Sequence, residues 1–218
     1  PWYKGSETLG ASLNIPYFYA ISDSKDLTFK PRIYANNDYI LQTEYREAFV
    51  NSNLITDFSF NRNENTNAHL FANLDGKLNE TTDYNIQIQN VTNDNYLKIY
   101  NLQDQTEIID SASTLTSLIN LKKEFDEDTS VDTSLKIYED LSKDDNDRYQ
   151  YIFPDFNFVR NINLDESYNG NFEFTSSGFQ KVYETNKYEA LLKNNFNFDS
   201  FDSIYPQGIV MDYNLLLM

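Results

Sequence analysis

The sequence has 218 residues, with 17 Lys and Arg against 34 Asp and Glu, which gives a formal net charge of −17. This acidity argues against nucleic acid as a partner, because nucleic acid binding requires basic surfaces. The chain has no cysteine and one histidine, His69, so disulfides, thiolate metal sites and His-rich metal sites are excluded.

The first informative element in chain order is the stretch DLTFKPRIY, Asp26 to Tyr34. Phe29 and Ile33 fall on one side of an extended chain, and Lys30 and Arg32 fall on the other. Pro31 cannot donate a ladder hydrogen bond, so it indicates a weakened or edge pairing. An ordinary β-bulge is the alternative reading of this proline.

The rest of the chain repeats this two-residue alternation and predicts roughly a dozen strands. Asn, Asp, Ser and Gly clusters separate the strands, so we expect an all-β, antiparallel, up-and-down sheet without helical crossovers. The apolar columns begin at Tyr39, Leu54, Leu70, Tyr84, Leu115, Val131, Phe156, Phe172, Tyr188 and Ile209, with Phe71 as an exception.

The links between the predicted strands differ in length. Short links near 79–82, 126–129 and 165–167 alternate with longer ones near 61–67, 93–110 and 142–148. Outer-membrane barrels have short periplasmic turns and longer outward loops, so we expect the longer links on the outer side. The stretch NDNYLKIYNLQD, within 93–110, is expected to form a helical turn.

Alternation alone fits two environments, a transmembrane β-barrel and a soluble β-sandwich. Charged opposite columns and aromatic residues at strand ends, such as Tyr17, Tyr19, Tyr151 and Phe153, favour the barrel. The alternation also leaves a soluble β-sandwich, acting as a binding or adhesion module, as an alternative to the barrel.

Residues 8–49 resemble the first barrel hairpins of the LptD (OstA, organic solvent tolerance) family of lipopolysaccharide-assembly outer-membrane proteins. The resemblance rests on PYFY from Pro16, on a D-x-T-x-x-P-R strand, and on a returning E-[FY]-R hairpin. Two later stretches, at NDNYLKIY and RYQYIFP, are also similar to the family. The matching positions are Pro16, Asp26, Thr28, Pro31, Arg32, Glu44, Tyr45, Arg46, Tyr96, Arg148, Tyr149 and Pro154.

The resemblance implies that residues 1–218 are part of a C-terminal barrel domain in the bacterial outer membrane. The family's periplasmic amino-terminal jellyroll and its closing barrel strands are absent from this sequence, so we expect a partial barrel. The implied function is insertion of lipopolysaccharide into the outer leaflet, with an LptE-like lipoprotein plug and a periplasmic Lpt bridge as partners. A porin or receptor barrel is the first alternative.

The resemblance makes Lys30, Arg32, Glu44 and Arg46 candidates for the lipopolysaccharide path, and Pro31 a candidate for a weakened seam. The plainer reading is that the cations neutralise Glu44, Asp57 and their neighbours. The acidic runs at 126–128 and 144–147 fit solvated turns better than a calcium loop. We expect no metal, no cofactor and no enzyme activity, with His69 as a wall residue without a partner.

Overall fold

The computed structural model describes residues 2–6, 9–62, 66–109, 111–144, 147–163, 170–204, 206–208 and 210–217. Strands dominate these ranges, as the alternation predicts. The strands are β1 (Trp2–Ser6), β2 (Gly10–Asn14), β3 (Tyr17–Ser22), β4 (Lys25–Tyr34), β5 (Tyr39–Ala48), β6 (Ser52–Arg62), β7 (Thr66–Asn79), β8 (Thr82–Val91), β9 (Thr114–Asp126), β10 (Thr129–Asp140), β11 (Tyr149–Asn163), β12 (Gly170–Tyr183), β13 (Lys187–Ser200), β14 (Ser203–Ile204), β15 (Val210–Met211) and β16 (Asn214–Leu217). Helix α1 (Tyr96–Ile99) and a 3-10 helix (Gln103–Gln105) lie between β8 and β9.

Fourteen strands form one antiparallel sheet in the order β1-β2-β4-β5-β6-β7-β8-β9-β10-β11-β12-β13-β16, and β3 pairs with β4 beside β2. From β4 to β13 every strand pairs with its neighbour in sequence, which confirms the predicted all-β, up-and-down arrangement. Among the described residues, neither β1 nor β3 pairs with β13 or β16, so this sheet is open.

No helix in the described ranges is long and apolar enough to span a membrane.

The register segregates the side chains onto two faces of the sheet. The apolar face carries the cross-strand row Leu54, Leu74, Ile86, Ile119 and Leu135. The polar face carries the row Glu44, Asp57, Phe71 and Gln89.

Burial is inverted relative to a soluble sheet. On the polar face Asp57 is 0% and His69 is 2% exposed, whereas Ile119 on the apolar face is 54% exposed. Water-soluble sheets bury their apolar face, so the burial of this sheet is the opposite, with polar groups buried on one face and apolar groups exposed on the other.

The two ends of the sheet carry different links. The short-turn end has the turns 49–51, 80–81 and 127–128, and the long-loop end has the links 92–113 and 141–148. The predicted longer link near 61–67 is wrong, because β6 runs to Arg62 and β7 begins at Thr66, and the short turn 184–186 also lies at the long-loop end. The predicted helical turn is confirmed as α1, while the predicted short link 165–167 lies outside the described residues.

Two prolines lie close together beside β4, at the break between β2 and β3. Pro16 separates β2 from β3, and the Ile15 N–H donates to the Pro31 carbonyl at 3.2 Å. In an antiparallel ladder the N–H and C=O of one residue point the same way, so the donor missing at Pro31 faces this interruption. The ladder from Pro31 to Leu41 on β5 is continuous, so the weak pairing lies only on the side toward β2 and β3.

We expect Gly178→Ala to destabilise the sheet at β12. An added Cβ would lie 2.6 Å from the Leu191 carbonyl oxygen and 3.1 Å from the Phe156 ring. Such overpacking costs about 1–3 kcal/mol. Thermal unfolding followed by circular dichroism measures the loss, with Ser176→Ala on the same face of β12 as the control. Equal melting of the two variants would contradict the close approach at Gly178.

Candidate functional site: the covered polar face

The residues between β8 and β9, of which 92–109 and 111–113 are described, fold back over the polar face and are called segment 92–113 below. Tyr96, Leu97 and Leu102 of this segment are at most 1% exposed. Hydrogen bonds from β4, β6 and β8 reach the segment at Tyr96, Tyr100, Gln105 and Ile108, so it lies over strands β4 to β8. The segment therefore gives half of the polar face a folded cover.

An apolar cluster holds this cover in place. Phe71 on β7, which breaks the polar column of the sequence, is 0% exposed and belongs to the cluster. Each fully buried side chain of this size contributes about 1.5–3 kcal/mol. The buried members of the cluster are Leu9, Tyr34, Ile40, Phe71, Val91, Tyr96, Leu97, Tyr100, Leu102, Ile109, Leu115 and Leu141.

Cations of β4 bind main-chain oxygens of the segment. Arg32 Nη1 donates to the Tyr100 carbonyl at 2.7 Å, and Lys30 Nζ donates to the Gln105 carbonyl at 3.1 Å. Lys30 also forms a 2.7 Å ion pair with Glu44. Arg32 is buried and Lys30 is half-buried, and hydrogen bonds to carbonyl oxygens offset the cost of placing cations there, so both residues act as attachment points for the segment.

Glu44 has a second cationic partner, Arg46, at 2.7 Å. Arg46 in turn approaches Glu107 of segment 92–113 at 3.6 Å, and its side chain is 42% exposed. The cations thus neutralise Glu44, as the plainer reading expects, while Asp57 is held by other groups.

A chain of hydrogen bonds joins Tyr96 to Asp57. The Tyr96 hydroxyl lies 2.9 Å from Ser59 Oγ, which lies 2.6 Å from His69 Nδ1. His69 Nε2 lies 2.6 Å from Asp57 Oδ1, and Gln42 Nε2 donates to both Asp57 oxygens at 2.9 and 3.0 Å. The expectation that His69 lacks a partner is therefore wrong, because the β6–β7 register places Ser59 directly opposite it.

These residue types are those of a serine hydrolase triad, but their geometry does not support catalysis. Ser59 is 0% exposed and its hydroxyl contacts Tyr96, so no substrate can reach it. The Tyr96 hydroxyl can donate to Ser59 Oγ, and the Ser59 hydroxyl can in turn donate to His69 Nδ1. Burial raises the pKa of Tyr96, which keeps this donor protonated. The chain of groups anchors the segment.

A second tyrosine anchor involves Asp38, in the turn before β5. The Tyr100 hydroxyl donates to Asp38 Oδ2 at 2.7 Å, and Asn61 Nδ2 donates to Asp38 Oδ1 at 2.6 Å. Burial, and then the hydrogen bond to Asp38, raises the pKa of Tyr100. Asp38 is thus a buried carboxylate satisfied from both the sheet and the segment.

Gln89 joins the segment to the two strands from which it departs. The β8–β9 pairing ends at Gln87 and Leu118, and beyond it the Thr116 N–H donates to Gln89 Oε1 at 2.7 Å. Gln89 Nε2 donates to the Ile108 carbonyl at 2.9 Å. This side chain replaces ladder bonds where the strands diverge.

Arg148, just before β11, clamps the start of the segment from the other side. Its Nη2 lies 2.7 Å from both Asp94 and Glu139, and the Tyr149 hydroxyl donates to Glu139 at 3.0 Å. The hydrogen bond to Asp94, with a smaller contribution from Glu139, raises the pKa of Arg148. The clamp joins Asp94, near the start of the segment, to Glu139 near the end of β10.

The structure brings some predicted positions together and leaves others apart. Tyr96 meets the wall that carries Lys30, Arg32, Glu44 and Arg46, and Arg148 with Tyr149 lies at its edge. Asp26 and Thr28 lie on the polar face nearer the short-turn end, where β4 pairs with β5. Tyr45 contacts Glu47 on the apolar face, and Pro154 follows a cis peptide bond in a bulge of β11.

Sequence reasoning missed Asp38, Gln42, Ser59 and Gln89. Each is an ordinary polar residue until the register and the segment are known. The apolar exceptions, Phe71 in a polar column and the Tyr and Leu residues in a loop, were the available signal.

Within the described ranges, no group of three or more His, Asp or Glu could hold a metal ion. The acidic turn at 126–128 is closed by an internal hydrogen bond, in which the Asp128 N–H donates to Asp126 Oδ1 at 3.0 Å. The second acidic run includes residues 145 and 146, which lie outside the described residues.

No protein-family model matches this sequence, and no curated protein is significantly similar to it.

We expect Leu97→Ala to loosen segment 92–113. Leu97 is 0% exposed in the apolar cluster, and such truncations cost about 2–5 kcal/mol. Limited proteolysis of the intact protein within residues 93–109 measures the loosening. Ile99→Ala, at a 41% exposed position of the same helix, is the control. Equal cleavage of the two variants would show that the cluster does not hold the segment.

Proposed function

We propose that this chain forms part of the wall of an outer-membrane β-barrel, with its polar face toward the lumen and its apolar face toward lipid. The inverted burial of the sheet carries the proposal. Buried Asp57 and His69 lie behind a surface on which Leu70 is 49% and Ile88 is 48% exposed. Such a surface costs free energy in water and none in hydrocarbon.

A soluble β-sandwich would cover the apolar face with a second sheet. The only other sheet among the described residues pairs the two-residue strands β14 and β15, which is too small to cover fourteen strands. Aromatic residues at both ends of the strands also support a lipid environment for the apolar face. Tyr149 and Tyr151 stack at the long-loop end, and Phe174 and Phe196 contact each other near the short-turn end.

The cargo we propose is lipopolysaccharide, on the basis of the resemblance of residues 8–49 to the LptD family. The structural support is the proline pair, because Pro16 and Pro31 weaken the pairing of the strands nearest one open edge. Weak pairing there would let acyl chains leave the lumen sideways while sugars stay on the polar face.

The path that such cargo would follow is the uncovered half of the polar face. Strands β9 to β13 carry amides and charges there, including a groove of about 240 Å³ lined by Asn120, Asp132, Lys136 and Asp155. This half also leaves space for an LptE-like lipoprotein, and the periplasmic bridge remains part of the proposal. Lys30 and Arg32 would meet cargo phosphates only after the segment moved, since both bind its carbonyls.

A porin or receptor barrel is the second candidate, and segment 92–113 favours it. A loop folded inward onto the polar wall would constrict an aqueous lumen. The two candidates share the lipid-facing wall and differ in the cargo.

The proposed membrane wall predicts opposite reactivity for cysteines introduced at two neighbouring positions. The chain has no cysteine of its own that would interfere. Gln87 lies on the polar face and Ile88 on the apolar face of β8. In native membranes we expect Gln87→Cys to react with a water-soluble maleimide and Ile88→Cys to be protected. Both should react after denaturation. Equal or faster labelling of Ile88→Cys in intact membranes would contradict a lipid-covered apolar face.

The lipopolysaccharide proposal predicts a cargo contact beside the proline pair. A photo-crosslinking residue at Phe18, on the polar face of edge strand β3, should form an adduct with lipopolysaccharide in living cells. Phe179, on the polar face of β12, is the control for the wall away from the seam. Tyr151, on the apolar face, reports contact with bulk lipid. Adducts at Tyr151 without one at Phe18 would contradict passage of this cargo.

A further inference from the structure

Two cations stand on the apolar face near the short-turn end. Lys123 of β9 pairs with Val131 of β10, and Arg160 of β11 pairs with Thr129, two residues along the same strand. Residues two apart in a strand share a face, so both cations flank β10 on the apolar side. Each lies three residues before the end of its strand.

Each of the two cations has an aromatic neighbour. The Lys123 ammonium lies 5.0 Å from the centroid of the Phe125 ring. Arg160 pairs with Phe174, whose ring lies 6.0 Å from Phe158. Aromatic residues at this level are typical of the boundary between hydrocarbon and headgroups. The two cations therefore lie at headgroup height in the proposed wall.

Their charges are less compensated than those of similar residues. Lys25, on the same face and at the same end, forms a 2.7 Å ion pair with Glu47. In the described part of the chain, no carboxylate lies within salt-bridge distance of Lys123 or Arg160, and both residues are exposed. Asp126 interacts electrostatically with Arg160.

We propose that Lys123 and Arg160 form a binding site for the phosphate headgroup of an anionic phospholipid in the leaflet at the short-turn end. The site rests on the proposed membrane wall and adds a specific lipid partner to it. A chain of net charge −17 repels anionic lipids overall, so attraction depends on local cations. Charge complementarity selects a phosphate group that carries no neutralising amine, as in phosphatidylglycerol.

Native mass spectrometry of the full chain in detergent, with phosphatidylglycerol or phosphatidylethanolamine added, tests the site. We expect a preference for phosphatidylglycerol that falls about fivefold for each cation neutralised, in Lys123→Gln and Arg160→Gln. Lys193→Gln, which removes the same charge from the polar face of β13, is the matched control and should keep the preference. Inorganic phosphate added without lipid distinguishes the two sources, because a headgroup site that also holds acyl chains should retain no free phosphate, whereas a phosphate adduct lost in Lys123→Gln would indicate a free phosphate site and overturn the lipid assignment.

Two outcomes would overturn the inference alone. One is an unchanged preference in the Lys123→Gln, Arg160→Gln double variant, and the other is an equal loss in Lys193→Gln. Carbonate extraction of native membranes separates this result from failure of the wall itself. A chain released by carbonate would overturn both proposals, whereas a retained chain without lipid preference would overturn only the headgroup site.

Discussion

The two-residue period of the strands, kept in register across the sheet, is the constraint on which the other features depend. Because the β5–β6–β7 register aligns Glu44, Asp57 and Phe71, polar groups accumulate on one side and apolar groups on the other. A slip by one residue in any strand would move its polar set to the apolar face. Both the covered site and the exposed apolar surface follow from this alignment.

The covered site resolves a conflict that the polar face creates. Buried carboxylates and cations are costly unless they are paired, and segment 92–113 supplies carbonyls and tyrosine hydroxyls as partners. Arg32 reaches the Tyr100 carbonyl, and Asp38 receives the Tyr100 hydroxyl. Apolar side chains of the same segment add burial that the rest of the sheet lacks, since no layer covers the apolar face within the described ranges.

Much of the fold could be predicted from sequence, because alternation is a local property. The strands, the up-and-down order and the helical turn at Tyr96 all follow from short stretches. The site could not be predicted, because it requires long-range placement. Lys30 and Gln105 are 75 residues apart, and nothing local indicates that the loop folds inward. His69 looked isolated for the same reason, since its partner Ser59 is defined only by the hairpin register.

The cover over one half of the polar face has a mechanical consequence for the sheet. The packed layer lies over β4 to β8 and reaches Leu115 at the start of β9, whereas the rest of β9 to β13 has no such layer among the described residues. A sheet that is covered over one half bends most easily beside the covered part. The β8–β9 pairing, which lies there, ends early at Gln87 and Leu118. Bending of the sheet would therefore concentrate along β9. The half that includes β4 to β8 would stay rigid, and the half that includes β10 to β13 would be more flexible.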